Sequence, residues 1–99
     1  MPRDNFEKKV NVISAVMESR LQANEAKGDW NDLTPSQIIE GIRRQAQEAE
    51  QAVLDFQEGK VPIGKVLIKC ADGGNYFMFL ADKMGALEKV ADGIASTKV

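Results

Sequence analysis

No histidine occurs in these 99 residues, which excludes imidazole-based triads, zinc–histidine sites and imidazole general bases. A single cysteine, Cys70, excludes an internal disulfide and fits a reducing cytosol. No apolar run approaches the roughly 18–20 residues of a membrane-spanning helix, and none follows the charges of Met1-Pro-Arg-Asp-Asn-Phe-Glu-Lys-Lys9. Neither a membrane span nor a signal peptide is therefore expected. There is also no excess of charge of one sign: 13 Lys and Arg stand against 15 Asp and Glu, a net −2. That balance argues against bulk nucleic-acid binding. The chemistry left to the chain is that of carboxylates, Lys and Arg, hydroxyls and one thiol.

The remaining composition, 43% hydrophobic and 28% charged, is that of a single soluble globular domain spanning residues 1–99, expected in the cytoplasm. No internal repeat, low-complexity tract or linker interrupts it. Phe6, Val10, Ile13, Met17 and Leu21 step by three and four, which predicts an amphipathic helix over about 4–26, with Lys8, Asn11, Ser19 and Gln22 facing solvent. Thr34-Pro-Ser-Gln37 is a helix start: a capping Thr, a proline suited to the first turn, and a Gln placed to close a capping box. The helix it opens is predicted over 35–57, burying Ile38, Ile39, Ile42, Ala46, Ala49, Val53 and Phe56.

The next segment admits two readings. Lys65–Cys70 and Asn75–Leu80 are β-prone runs around Asp72-Gly-Gly74, as in a hairpin. By period, however, Ile63, Val66, Cys70, Gly74, Phe77, Leu80 and Met84 hold one helical face, and Asn75–Leu80 does not alternate polar with apolar. Periodicity favours a helix over 63–84, despite about 1 kcal/mol lost at each glycine relative to alanine. Cys70 falls on its apolar stripe, where a small core residue is expected. Leu87, Val90, Ala91 and Ile94 predict a short last helix, and the tail from Ser96 is expected to fray. The fold class is thus all-α, with three main antiparallel helices and a short C-terminal one.

Three elements in order carry a family likeness: Asn24-Glu-Ala-Lys-Gly-Asp-Trp30, then Pro35-Ser-Gln-Ile-Ile-Glu40 before a polar helix, then Cys70-Ala-Asp-x-x-Asn75 continuing to Ala81-Asp82. Over residues 10–85 the chain resembles the MazG-like all-α nucleotide pyrophosphohydrolases, above all the small phage proteins of the dATP/dGTP diphosphohydrolase type. The resemblance implies the helical reading of 63–84. It also implies a site in which an E-x-x-E pair on one helix faces an E-x-x-D pair on the next, four carboxylates holding Mg²⁺ for cleavage between the α- and β-phosphates. Residues three apart share a helix face, so two such pairs converge on one ion, and hard Mg²⁺ takes oxygen ligands.

Placed residue by residue, the first pair falls on Gln45 and Glu48 and the second on Lys69 and Asp72. The later member of each pair is kept; the earlier is an amide or an ammonium, and Lys69 repels a divalent cation. The expectation is a degenerate site that needs no cofactor and binds a nucleotide or other phosphorylated ligand, or else a host protein, in a phage-encoded inhibitor or anti-defence role within the host cytoplasm. The alternative is an active, Mg²⁺-dependent dNTP pyrophosphohydrolase with a rearranged metal site that still uses Glu48 and Asp72. Ligand-binding candidates are Lys27, Trp30, Arg44 and Asn75. Two arrangements are open for the charges: Arg44/Glu48 and Lys69/Asp72 as surface pairs along each helix, or Arg44 and Lys69 standing in the ion's place. Trp30 is either a platform for a base or a lid over the core, and Asn75 either a site residue or an interhelical hydrogen bond. Tyr76, Phe77, Met78 and Phe79 exceed what one stripe hides, so a dimer or higher homo-oligomer is expected.

Overall fold

A computed structural model describes residues 3–24 and 30–93, and among these there is helix and no strand. Helix α1 spans Arg3–Ala23, a 3₁₀ turn Trp30–Asp32, α2 Pro35–Gln57, α3 Ile63–Lys83 and α4 Ala86–Gly93. The α2 start forms as its sequence dictates. Thr34 Oγ1 accepts from the Gln37 amide, Gln37 Oε1 accepts from the Thr34 amide, and Pro35 opens the first turn. Its end is equally local: Gly59 at φ +75° lets its amide reach Phe56 O and the Lys60 amide reach Asp55 O, capping the last carbonyls.

The segment 63–84 is helical, and its glycine pair serves packing rather than a turn. A Cβ on Gly74 would stand 3.2 Å from Met17 Sδ of α1, and one on Gly73 would stand 3.8 Å from Gln45 Cβ of α2. Two neighbours therefore approach α3 where it has no side chain. Gly41 of α2 does the same in return, since a Cβ there would overlap the Tyr76 ring, 2.9 Å from Cζ and nearer still to Cδ1 and Cε1.

Helix α3 is the middle of the molecule, packed against α1, α2 and α4. Residue pairing fixes the directions. Met17 and Arg20 of α1 meet Asn75 and Asp72, while Gly41 and Glu48 of α2 meet Tyr76 and Lys69. Both neighbours are antiparallel to α3, so α1 and α2 run in the same direction. The expectation of three main antiparallel helices holds for each neighbour of α3, while α1 and α2 run parallel to each other.

The core is small. Among the described residues, Ile38, Ala52 and Ala71 are the buried apolar side chains, with Asn75 buried beside them. Several positions expected inside are exposed: Phe6 and Val10 of α1, Ile39, Ala46, Val53 and Phe56 of α2, Phe77 of α3, and Met84 at its C-cap. Cys70 is exposed too, and it lines a shallow apolar groove with Ala46, Ala49 and Phe77 rather than the core. The stripes are where the period puts them; two helices on one central helix cannot enclose them.

Candidate functional site

A cavity of about 1060 Å³ opens between the last turns of α1, the first half of α2 and the middle of α3, with Trp30 and Leu33 at its edge. That volume lies just above the roughly 300–1,000 Å³ of small-molecule sites, and the space is a cleft open to solvent. Of the residues singled out from sequence, it brings together Trp30, Arg44, Gln45, Lys69, Asp72 and Asn75. Glu48 stands just outside as the partner of Lys69. Lys27 lies outside the described residues.

The charged groups pair across helices, not along them. Lys69 Nζ donates to Glu48 Oε1 at 3.3 Å. Asp72 turns towards α1, where Arg20 donates from Nε to Oδ1 at 2.9 Å and from Nη2 to Oδ2 at 3.2 Å. The expected surface pairs Arg44/Glu48 and Lys69/Asp72 are therefore not the ones that form. Lys69 does neutralise Glu48, but the cation on Asp72 is Arg20 and not Arg44. The fork of Arg20 matches a carboxylate in two parallel bonds, and Asp72 holds its guanidinium above the ordinary arginine pKa, mainly by that hydrogen bond, against the opposing effect of burial.

Arg44 instead donates from Nη2 to the Tyr76 hydroxyl at 2.9 Å and has no carboxylate partner among the described residues. Two side-chain acceptors on the cavity wall, Gln45 Oε1 and Asn75 Oδ1, are buried without a hydrogen-bond partner. Buried polar atoms are nearly always satisfied, so both call for a donor. The other end of Asn75 is committed: Nδ2 donates to Met17 O at 3.0 Å, tying α3 to α1. Asn75 is thus an interhelical bond and a cavity group at once.

The aromatic wall is Trp30, Tyr76 and Phe79. Trp30 stacks on Phe79 at 4.7 Å and 11°, and Tyr76 meets Phe79 tilted at 5.2 Å. Trp30 Nε1 donates to Asp82 Oδ2 at 2.9 Å, and Lys83 Nζ donates to Asn31 O at 2.6 Å, so the 3₁₀ turn is anchored to the end of α3. One face of the indole is therefore taken by the fold.

These residues do not fit a divalent metal. Among the described residues no three carboxylate, histidine or cysteine side chains gather as a ligand set. The two carboxylates at the expected positions, Glu48 and Asp72, each carry a cationic partner.

Arg20, Tyr76 and Asp82 were missed from sequence. Arg20 had a signal, since it follows Met17 by three and precedes Asn24 by four, the basic position on the inward side of α1. Asp82 closes the element that carries the family likeness and Tyr76 belongs to the aromatic surplus at 76–79, but neither place pointed to a role in the cavity. No protein-family model, curated protein or solved structure matches the chain.

Proposed function

We propose that the chain is a binding protein for a phosphorylated, nucleotide-like ligand, built on a MazG-like helical scaffold that has lost metal-dependent hydrolysis. The observation that carries the reading is the state of the cavity's charges. Its carboxylates are taken by Lys69 and Arg20, while a guanidinium, Arg44, has no counter-ion among the described residues. Gln45 and Asn75 add acceptors suited to the amino or hydroxyl groups of a nucleoside, and Trp30, Tyr76 and Phe79 add an aromatic wall.

A second copy of the chain is the proposed partner. Phe77 and Ile63 on the central helix and Met84 at its C-cap are each about 60% exposed, and Val53, Leu54 and Phe56 are exposed on α2. So much apolar surface on so small a core favours an oligomer. A foreign protein, such as a phage's host target, is the second reading, favoured by the same surface.

Thermal melting with dNTPs, with and without Mg²⁺, tests the function. A ligand at 100 times its Kd raises stability by about 2.7 kcal/mol. Stabilisation without Mg²⁺, together with no pyrophosphate released from dATP or dGTP, is the expected result. Release of pyrophosphate that Asp72→Asn abolishes would establish the active-enzyme alternative. No stabilisation by any nucleotide would leave the protein–protein reading.

A further inference from the structure

We infer that the ligand carries a single phosphate group, as a nucleoside monophosphate does, and that without a metal the cavity rejects triphosphates. The inference rests on the ligand-binding reading above and narrows it.

Charge sets the limit. Arg20 is held by Asp72 through both of its forked bonds, and Lys69 is shared with Glu48. Arg44 is the one cation on the cavity wall whose charge no described carboxylate answers. A phosphate monoester carries about −1.5 to −2 near neutral pH, which one guanidinium and a part-share of the Lys69 ammonium can offset. Two further phosphates would enter without matching charge, beside the Asp72 carboxylate.

The order of groups along the helices points the same way. Arg44 and the Tyr76 hydroxyl form a donor pair: having accepted from Arg44, the phenol keeps its own proton to donate. The ring is seated where Gly41 leaves room for it, so this pair is preorganised. One residue further along each helix the wall changes character, presenting Gln45 Oε1 and Asn75 Oδ1, both unsatisfied acceptors, with the Asp72 carboxylate beyond. Acceptors repel phosphate oxygens and attract N–H and O–H. A phosphate therefore sits on Arg44 and Tyr76, and the nucleoside, which has such donors, lies over Gln45 and Asn75. A chain of phosphates running that way would meet the Asn75 acceptor and then the Asp72 carboxylate.

The test is calorimetric titration of the wild-type chain, in low salt with EDTA, against dAMP, dGMP, dCMP, dTMP, the matching triphosphates and inorganic phosphate. At least one monophosphate should bind about tenfold or more tightly than its triphosphate, and more tightly than inorganic phosphate. Arg44→Gln should weaken that monophosphate by about tenfold or more, as expected for loss of a charge-assisted bond, with Arg44→Lys restoring part of it. Arg44 is exposed, so its variants should fold. Triphosphates binding equally or better in EDTA would overturn this inference and leave the binding reading standing. Inorganic phosphate binding as tightly as any nucleotide, or Arg44→Gln without effect, would overturn the assigned placement. Binding of none of these compounds would overturn both readings.

Discussion

Replacing Arg20 by methionine tests the pair that ties α1 to the cavity. The Asp72 side chain is 13% exposed and that of Arg20 33%. Loss of the guanidinium strands a carboxylate largely out of water, while Lys69, three residues before it on the same helix, is engaged by Glu48. Breaking a fully buried pair costs about 3–5 kcal/mol and an exposed one about 0–1. Partial burial places Arg20→Met at about 2 kcal/mol, or roughly 8–16 °C in Tm for a domain of this size. Asp72→Asn should cost less, about 1 kcal/mol, because the more exposed Arg20 can still reach water. The double variant should melt above Arg20→Met alone, since no carboxylate is then left unpaired. Thermal melts followed by circular dichroism read all four proteins. Arg20→Met melting within about 2 °C of wild type, or a double variant that loses the sum of both single effects, would refute the pairing. The pH dependence has a definite sign. Asp72 raises the Arg20 pKa, so the pair's contribution is complete below arginine's unfolded value and fades only as pH rises through the higher folded one. The gap between wild type and Arg20→Met should therefore not shrink with rising pH anywhere near neutrality.

Four further outcomes are expected. Thr34→Ala removes the hydroxyl arm of the capping box, leaving the backbone amide's bond to Gln37, and should lower stability by about 1 kcal/mol in denaturant titration. Gly41→Ala gains about 1 kcal/mol of helix propensity but drives a methyl into the Tyr76 ring, an overpacking cost of about 1–3 kcal/mol; a net loss and an altered near-ultraviolet dichroism should follow. Phe77→Asp, at a position 61% exposed, should shift light scattering towards monomer, and an unchanged mass would remove Phe77 from any subunit interface. Gln45→Glu combined with Lys69→Glu should lower the melting temperature in EDTA and recover with millimolar Mg²⁺ or Mn²⁺, more so with Arg44→Glu added; melting that ignores metal would show that positions 45, 48, 69 and 72 do not converge.

Local chemistry was the legible part. The Thr34-Pro-Ser-Gln37 start, the end of α2 before Gly59 and the helical period through Gly73 and Gly74 are each specified within a few residues, and each is present. Burial was less legible, because a period identifies a face but not whether anything covers it. Phe6, Phe56 and Phe77 lie on their stripes and remain open. The partners in the cavity were least legible. Arg20–Asp72 and Trp30–Asp82 each join residues 52 positions apart, and such pairs depend on how far one helix slides along another. No short pattern encodes that register. The close approaches at Gly41 and Gly74 set it, and their meaning emerges only once the facing residue is known.

Two helices that run the same way across a third have a consequence for how the chain assembles and opens. Helices α2 and α3 are joined by five residues, 58–62, and pair near in sequence, so loop closure costs them little and they form the natural first cooperative unit. Helix α1 meets α3 across more than fifty positions and docks against a hairpin already made. It should also leave first, in sub-global openings that expose Asp72 and Asn75 while α2 and α3 stay protected. The cavity exists only while α1 is docked. A ligand held there should slow hydrogen exchange along α1 far more than along its two neighbours.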